Sequence, residues 1–280
     1  MSQPILPTTA PHASPSTPSS SRRFFIHHAR FFPRSALTLT GANGGGRSAR
    51  LKVPVFFRRV VRFQHLDFEL AAWQLTYLCI SPRRVYRNVY FHKVQTKNTW
   101  ARDDPAIIIL ISAFLCAAAA AWSLTYSLSA PQWLWLAAVM VVRDYLAVGV
   151  VVATLLWLAA PLLSLAPTYH HADSRLEWAY AFDIHSNAFF PFALILYVLQ
   201  AFLAPILMHD RWLTIWLGNT LYLVAFSQYV YVTYLGMTAL PFFIRSEIIL
   251  APLLPLFGGY IISLLGFNVA KSVLDVYFGK

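Results

Sequence analysis

The sequence predicts an all-α, polytopic membrane protein with five transmembrane helices and a short N-terminal interfacial helix. Hydrophobic residues make up 58% of the 280 residues and charged residues 12%, whereas a soluble domain carries about 25% charged residues. Five segments are also apolar over roughly the 20 residues that a helix needs to cross a bilayer. The predicted spans are at about residues 106–128, 145–165, 187–208, 212–235 and 248–270.

The first 56 residues differ in composition from the rest of the chain. Residues 1–21 are rich in Pro, Ser and Thr, residues 41–46 are rich in Gly, and no acidic residue precedes Asp67. Such a segment lacks the apolar residues of a core, so we predict a disordered cytosolic tail followed by a membrane domain at residues 57–280. A Ser-rich, Arg-bearing, acid-free N-terminus also fits a mitochondrial transit peptide, and that alternative stays open.

A helical pattern precedes the first span. Apolar residues from Phe63 to Ile80 recur at intervals of three and four, which places them on one stripe of a helix. The opposite face is apolar too, and the segment is too short and too charged at its start to span a bilayer. We predict that it lies at the membrane interface, packs against the bundle or a partner, and ends at Ser81-Pro82.

The second span is the hardest to place. Residues 132–166 are apolar for longer than one span requires, and they contain Arg143 and Asp144. Residues 145–165 are uncharged and sufficient by themselves. We therefore place the charged pair near the lumenal end of this span and expect residues 132–142 to lie at the interface or to re-enter.

Local signals mark the first and fifth spans. Asp104 can cap the first span, and Pro105 suits its first helical position. In the fifth span we expect the helix to be kinked or broken by Pro252, Pro255 and Gly258-Gly259.

Positive charge is concentrated on one side of the predicted bundle. Of the 22 Lys and Arg residues, 16 precede the first span, and Arg175 and Arg245 fall in loops on the same side. Since Lys and Arg accumulate on the cytosolic side, we predict a cytosolic N-terminus and a lumenal C-terminus. The net charge of +11 then faces the anionic lipids of the cytosolic leaflet, and no nucleic-acid partner is expected.

Basic and Trp residues ahead of the first span predict a cytosolic surface that contacts lipid or a protein partner. Indole rings favour the acyl boundary, and guanidinium groups favour the headgroups. The residues assigned to this surface are Arg58, Arg59, Arg62, Trp73, Arg83, Arg84, Arg87 and Trp100.

Polar residues inside the predicted spans form a second candidate site. Asn219, Tyr222, Tyr229 and Thr233 recur at helical spacing on one side of the fourth span, and Asp144 lies near the end of the second. Such groups ordinarily form hydrogen bonds between membrane helices, and the alternative is a transport path for a small molecule or an ion. Against a carrier, the chain shows no internal repeat and no matched pair of broken helices.

One stretch holds the residues that resemble metal or acid–base chemistry: His170, His171, Asp173, Glu177, Asp183 and His185. The adjacency of the first two histidines does not match the spacing of zinc ligands. The segment from Tyr180 to His185 is instead typical of an aromatic belt with a capping acid. We therefore predict no catalytic residue, no metal and no cofactor, so the protein is not expected to be an enzyme.

Five strings of sequence occur in a characteristic order and spacing. They are Val61-Arg62-Phe63 with the residues up to Gln74, Ser81 to Asn88, Trp100 to Ala106, Glu177 to His185, and Gly218 to Leu223. In these strings the chain resembles the uncoordinated-fifty (Unc-fifty) family of Golgi membrane proteins, from about Phe57 to the C-terminus. An acid at the Asp144 position fits the family, whereas Arg143 departs from it.

This resemblance implies a function that the residues alone do not identify. Members of the family are membrane components of the Golgi and early secretory pathway, and they help to transport selected membrane proteins. By resemblance, the partners are an exchange factor for Arf-type GTPases and cargo membrane proteins, and the protein is an adaptor in vesicle-mediated transport. The endoplasmic reticulum or the inner nuclear membrane is the alternative location, and a small-molecule or ion transporter is the alternative function.

Overall fold

Helices account for the regular structure of the chain wherever it is described. The computed structural model describes residues 66–88, 101, 105–163, 176–209 and 211–278. Within these ranges the chain is all-helical and contains no strand. The helices are α1 (Phe68–Ile80), α2 (Ala106–Thr125), α3 (Ala130–Leu163), α4 (Trp178–Leu207), α5 (Trp212–Thr238), α6 (Leu253–Ser263) and α7 (Val269–Phe278). Residues 82–88 are helical as well, and a 3-10 helix, Ser246–Leu250, precedes α6.

Four helical stretches among the described residues are long and apolar enough to cross a membrane. They are α2, α3, α4 and the stretch Ser246–Ser263, which joins the 3-10 helix to α6. Helix α5 is 27 residues long and uncharged, but it is not one of the four. Its Tyr, Trp, Thr, Asn and Gln residues lower its hydropathy. The predicted class of membrane protein is therefore supported, whereas the count of five spans stays a prediction.

The second span differs from the prediction. Helix α3 is continuous over 34 residues, so residues 132–142 are not a separate interfacial or re-entrant segment. A π-helical segment, Val139–Ala147, lies within it, and Arg143 and Asp144 fall inside this segment instead of at a helix end. At a rise of 1.5 Å per residue the helix is about 50 Å long, which exceeds the roughly 30 Å of a hydrocarbon core. Its length, rather than a break, accounts for the extra apolar residues.

The last predicted span is broken at a different place than expected. Pro252 directly precedes α6, but Pro255 and the two adjacent glycines lie inside that helix without interrupting it. The break follows Ser263, where Gly266 has a φ of 135°. This backbone conformation favours glycine because it lacks a Cβ atom. The chain then continues into α7, which lies beyond the predicted end of the span at residue 270 for most of its length.

Helix α4 occupies the centre of the described structure. It packs against both α3 and α5, and α1 packs against α2 and α4. Helix α4 also starts at Trp178, nine residues before the predicted span, and contains a second π-helical segment, Leu194–Leu199. The residues between Tyr180 and Ala193 are mostly buried, so the predicted aromatic belt lies inside the bundle.

Helix α1 buries residues that lie outside the predicted stripe. Its buried residues are Ala71, Gln74, Leu75 and Leu78, whereas Leu70, Trp73 and Ile80 of the stripe are exposed. As predicted, the helix ends before Ser81, although the backbone becomes helical again from Pro82. Residues 63–65 lie outside the described residues, and the position of α1 at a membrane interface stays a prediction.

Contacts between the helices show which of their termini lie at the same end of the structure. At the first end, Arg245 N donates to the carbonyl of Leu163, and Ala101 N donates to Glu177 Oε2. At the second end, the ring of Phe278 lies 4.2 Å from that of Tyr126, near the C-terminus of α2. Helix α5 runs between these ends, from the start of α7 to the segment at residues 82–88. We call the first end the arginine end because exposed arginines gather there.

Candidate functional site

Three predicted surface residues lie together on the helical segment at residues 82–88. Val85 and Tyr86 of this segment are buried at 1% and 4% exposure, which holds the segment against the bundle and turns Arg83, Arg84 and Arg87 outward. All three arginines are exposed. They form what we call the arginine face.

The three arginines differ in how they are held. Arg83 Nε donates a 2.7 Å hydrogen bond to the hydroxyl of Tyr231 on α5, and its guanidinium carbon lies 5.8 Å from the centre of that ring. Within the described part of the chain, Arg84 and Arg87 form no ion pair or hydrogen bond through their side chains. Their donors are therefore available to a ligand or a partner.

The other predicted surface residues are only partly described. Trp73 is 36% exposed, and its ring lies 4.4 Å from that of Tyr77, one turn later on α1. Arg58, Arg59, Arg62 and Trp100 lie outside the described residues. Whether these residues form one surface with the arginine face therefore stays a prediction.

A groove of about 410 Å³ opens beside the arginine face. One wall is formed by Arg83, Tyr86 and Arg87 and the other by the last turn of α5 and the residues after it. The residues of the second wall are Leu235, Thr238, Ala239 and Pro241. Arg84 does not line this groove. The groove therefore combines two guanidinium groups with a largely apolar opposite wall, and no acidic side chain occurs among its described lining residues.

Asp144 lies in a partly buried polar cluster at the π-helical segment of α3. Its carboxylate accepts hydrogen bonds from the hydroxyls of Tyr197, at 2.9 Å, and Tyr277, at 2.5 Å. Arg143 Nε donates to the same carboxylate at 2.6 Å, and its side chain remains 60% exposed. The cluster therefore joins α3, α4 and α7, and all of the hydroxyl donors around the acid are already used.

His185 is fully buried and connects three helices. Its Nε2 lies 3.1 Å from the carbonyl oxygen of Tyr145, and its Nδ1 lies 2.8 Å from the hydroxyl of Tyr229. Since a carbonyl can only accept, a neutral ring carries its proton on Nε2 and accepts at Nδ1. Both nitrogens are therefore satisfied within the protein.

A close approach between α3 and α4 makes room for this histidine. A Cβ atom at Gly149 would lie 2.7 Å from His185 Cδ2 and 2.8 Å from a ring carbon of Phe182. No side chain larger than a hydrogen atom fits there without displacing one of these rings. Gly149 is therefore a packing requirement of the His185 site.

The predicted polar side of α5 does not line one common path in the described structure. Asn219 Nδ2 donates to Ser263 Oγ and to the carbonyl of Phe267, both at 2.8 Å, and its Oδ1 accepts from Val269 N at 2.9 Å. This side chain joins α5 to both sides of the break at Gly266. It satisfies backbone groups that the end of α6 and the start of α7 leave unpaired.

The remaining members of this polar side bind separate partners. Tyr222 donates to Gln200 Oε1 of α4 at 3.2 Å, Tyr229 contacts His185, and Thr233 donates to the carbonyl of Tyr229 in its own helix. Asp144 contacts none of these residues. The structure thus uses each predicted polar group as a hydrogen-bonding partner between or within helices.

The residues weighed for metal or acid–base chemistry do not assemble in the described structure. No group of three His, Cys, Asp or Glu side chains suited to a metal occurs among the described residues. Glu177 accepts from the backbone of Ala101, and Asp183 lies in the second turn of α4, so it does not cap that helix. His170, His171 and Asp173 lie outside the described residues.

Sequence reasoning missed the partners of the buried polar groups. Tyr197, Gln200 and Tyr277 were not predicted to be site residues. Tyr197 and Tyr277 donate to Asp144, and Gln200 accepts from Tyr222. Tyr145 was treated as the start of a span, yet its carbonyl binds His185. Gln200 is a polar residue within an apolar part of α4, and this exception was the available signal for it.

Comparison with known proteins identifies one family. A model of the UNC-50 family matches residues 56–278. A Dictyostelium discoideum protein named unc-50 homolog is 40% identical over 250 residues, which cover 88% of this chain and 95% of that protein. The human unc-50 homolog is 39% identical, with 85% and 92% covered. A Schizosaccharomyces pombe protein named GMH1 homolog is also 39% identical, with 79% and 95% covered. No solved structure matches the chain significantly.

Proposed function

Because the chain belongs to the UNC-50 family, we propose that it is a non-enzymatic adaptor in the Golgi membrane that supports vesicular transport of other membrane proteins. Its cytosolic partner is an exchange factor for Arf-type GTPases, which the arginine end recruits. Cargo membrane proteins are the second class of partner. This role follows from the resemblance to Golgi membrane proteins, and the geometry of the arginine face supports it.

The observation that carries the proposal is the exposed and largely unpaired arginine face. Arginine is enriched where protein surfaces recognise one another, because its planar guanidinium donates several hydrogen bonds in a fixed geometry. Arg84 and Arg87 use none of these donors within the described part of the chain. The polar groups predicted inside the bundle, by contrast, all form hydrogen bonds within the protein. A partner can bind to free donors of this kind at the cytosolic end. This role does not depend on a transport path through the bundle.

We propose further that the chain crosses the membrane five times, with its N-terminus in the cytosol. Helix α5 supports this topology because it runs from the start of α7 to the arginine end, a distance of about 40 Å for 27 residues. Its Tyr and Trp residues lower its hydropathy but are compatible with a membrane helix that contacts other helices on several sides. The loops at the second end are short, at residues 126–129 and 208–211, and therefore suit the lumenal side.

Accessibility of introduced cysteines tests the topology. In a variant whose two cysteines, Cys79 and Cys116, are replaced by serine, we introduce Arg245→Cys at the arginine end or Arg211→Cys at the second end. A membrane-impermeant maleimide is then applied to sealed Golgi vesicles. We expect labelling of the first variant before permeabilisation and of the second only after it. Labelling of both before permeabilisation contradicts the proposed crossing by α5.

Proximity labelling from the cytosolic N-terminus, with imaging of the tagged protein in the same cells, tests the proposed role. We expect a Golgi location and an Arf exchange factor or coat subunits among the labelled proteins. A matched variant carrying glutamate at positions 83, 84 and 87 should keep its location and label less exchange factor. A mitochondrial location, or a Golgi location without nearby trafficking proteins, contradicts the proposal.

A further inference from the structure

We infer that the groove beside the arginine face is a binding site for one anionic phospholipid. In this site Arg83 and Arg87 bind the phosphate of the headgroup, and the acyl chains lie along the C-terminal part of α5. The inference distinguishes Arg83 and Arg87 from Arg84. It rests on the geometry of the groove and on the proposed crossing of the membrane by α5, and not on the adaptor role.

Charge is the first reason for this assignment. Arg83 and Arg87 are four residues apart in a helical segment, so their side chains leave the same face of the helix. None of the described residues that line the groove is acidic, so none of them neutralises this charge. Guanidinium groups bind phosphate oxygens through paired hydrogen bonds, and two of them on one wall suit a phosphate with further negative charge in its headgroup.

The second reason is that Arg83 is held in place before any ligand binds. Its Nε donates to the hydroxyl of Tyr231, which leaves its two terminal amino groups unused by that bond. A side chain already fixed in this way loses less conformational entropy on binding than a free one. Tyr231 therefore acts as a positioning residue for Arg83.

The opposite wall identifies the occupant as a lipid. Leu235, Ala239 and Pro241 give it an apolar surface, and Leu235 belongs to a helix that we place across the membrane. An acidic peptide would need polar partners for its backbone, which this wall supplies at Thr238 only. A volume of about 410 Å³ lies within the roughly 300–1,000 Å³ of small-molecule sites. It suits a headgroup whose acyl chains continue into the bilayer.

Binding of short-chain lipids to the purified full-length protein in detergent tests the inference. The probes are dihexanoyl phosphatidylserine, dihexanoyl phosphatidylinositol 4-phosphate, dihexanoyl phosphatidylcholine, inorganic phosphate and a hexaglutamate peptide. We expect at least one anionic lipid to bind at least tenfold more tightly than phosphatidylcholine and than inorganic phosphate. Equal binding of inorganic phosphate assigns the site to free phosphate, and binding of hexaglutamate alone assigns it to an acidic peptide. Either result overturns the inference.

Matched variants locate the site within the protein. Arg87→Gln should weaken binding of the anionic lipid at least tenfold, because it removes one of the two phosphate ligands. Arg84→Gln makes the same change of charge outside the groove and should alter the dissociation constant less than twofold. Tyr231→Phe should weaken binding two- to fivefold without changing the melting temperature by more than about 2 °C, since it removes one exposed hydrogen bond and keeps the ring.

The comparison between variants also separates this inference from the proposed function. Equal weakening by Arg84→Gln and Arg87→Gln indicates attraction to diffuse surface charge and overturns the inference. Loss of exchange-factor labelling with intact lipid binding leaves it standing, because the lipid assay contains no exchange factor. Absence of lipid binding with normal exchange-factor labelling contradicts the lipid site alone.

Discussion

The arginine end and the polar cluster around Asp144 are both built from charged and aromatic residues, yet they use them in opposite ways. In the cluster, two tyrosine hydroxyls and one guanidinium already bind the carboxylate of Asp144. At the arginine end, a single tyrosine binds Arg83, and Arg84 and Arg87 have no side-chain partner in the described structure. Polar groups whose bonds are satisfied internally stabilise a membrane protein, and those left free are available for binding.

Asn219 offers the largest test of this contrast. Asn219→Leu removes three hydrogen bonds and leaves the carbonyl of Phe267 and the amide of Val269 unpaired. We expect the free energy of unfolding to fall by about 2–4 kcal/mol, measured as a lower melting temperature of the purified protein in detergent. Thr233→Val is the matched control, because that hydroxyl bonds to the backbone of its own helix, and it should cost less than about 1 kcal/mol. Equal effects of the two variants contradict the structural role of Asn219.

Two glycines allow a comparison between a tightly packed position and an open one. Gly149→Ala places a Cβ atom against His185 and Phe182 and should cost about 1–3 kcal/mol through overpacking. Gly259→Ala is the control, since nothing lies within 4 Å of its Cβ position, and alanine there should stabilise α6 by up to about 1 kcal/mol. Thermal unfolding of both variants in the same detergent gives the difference. A stable Gly149→Ala protein would show that His185 is not held as described.

The role of Asp144 separates the adaptor from the alternative transporter. Asp144→Asn keeps the shape of the side chain but weakens its bonds to Tyr197, Tyr277 and the exposed Arg143. We expect a loss of about 1 kcal/mol in unfolding free energy. A transporter that uses this acid and the polar side of α5 should instead show flux in reconstituted vesicles that Asp144→Asn and Asn219→Leu abolish. We expect no flux from the unaltered protein, so measurable flux contradicts the adaptor role.

The arginine face should contribute least to stability. Replacement of Arg83, Arg84 and Arg87 by glutamate removes one exposed hydrogen bond and no buried contact. The melting temperature should therefore change by an amount equivalent to less than about 1 kcal/mol. A matched variant with lysine at the three positions retains the charge and serves as the control. Unfolding of the glutamate variant alone would indicate that these residues hold the fold together.

The sequence predicts the helices well because their signal is composition over long windows. Apolar runs located α2, α4 and the stretch before the break at Gly266, and helical periodicity located α1 and the polar side of α5. Composition does not reveal which face of α1 is buried, since both faces are apolar and the choice depends on the surfaces of α2 and α4. For this reason the sequence alone could not show that the stripe with Trp73 is exposed and not buried.

The sequence does not predict the π-helical segments. It does not predict the partners of the polar groups either. A π-helical turn changes the backbone hydrogen-bond pattern without a characteristic residue, so the continuity of α3 through Val139–Ala147 was not predictable from hydropathy. The bonds of Asp144 to its two tyrosines and those of His185 join residues at least 40 positions apart. Their residue types indicated hydrogen bonding, but the chosen partner is a property of the assembled bundle.

Co-purification of an Arf-type exchange factor from solubilised Golgi membranes measures whether the arginine face binds the cytosolic partner. The unaltered protein, the glutamate variant and the lysine variant are captured through the same N-terminal tag and compared at equal yield. We expect the unaltered protein to retain the exchange factor and the glutamate variant, equally stable, to lose most of it. Equal recovery with all three proteins would contradict the claim that the arginine face binds the cytosolic partner.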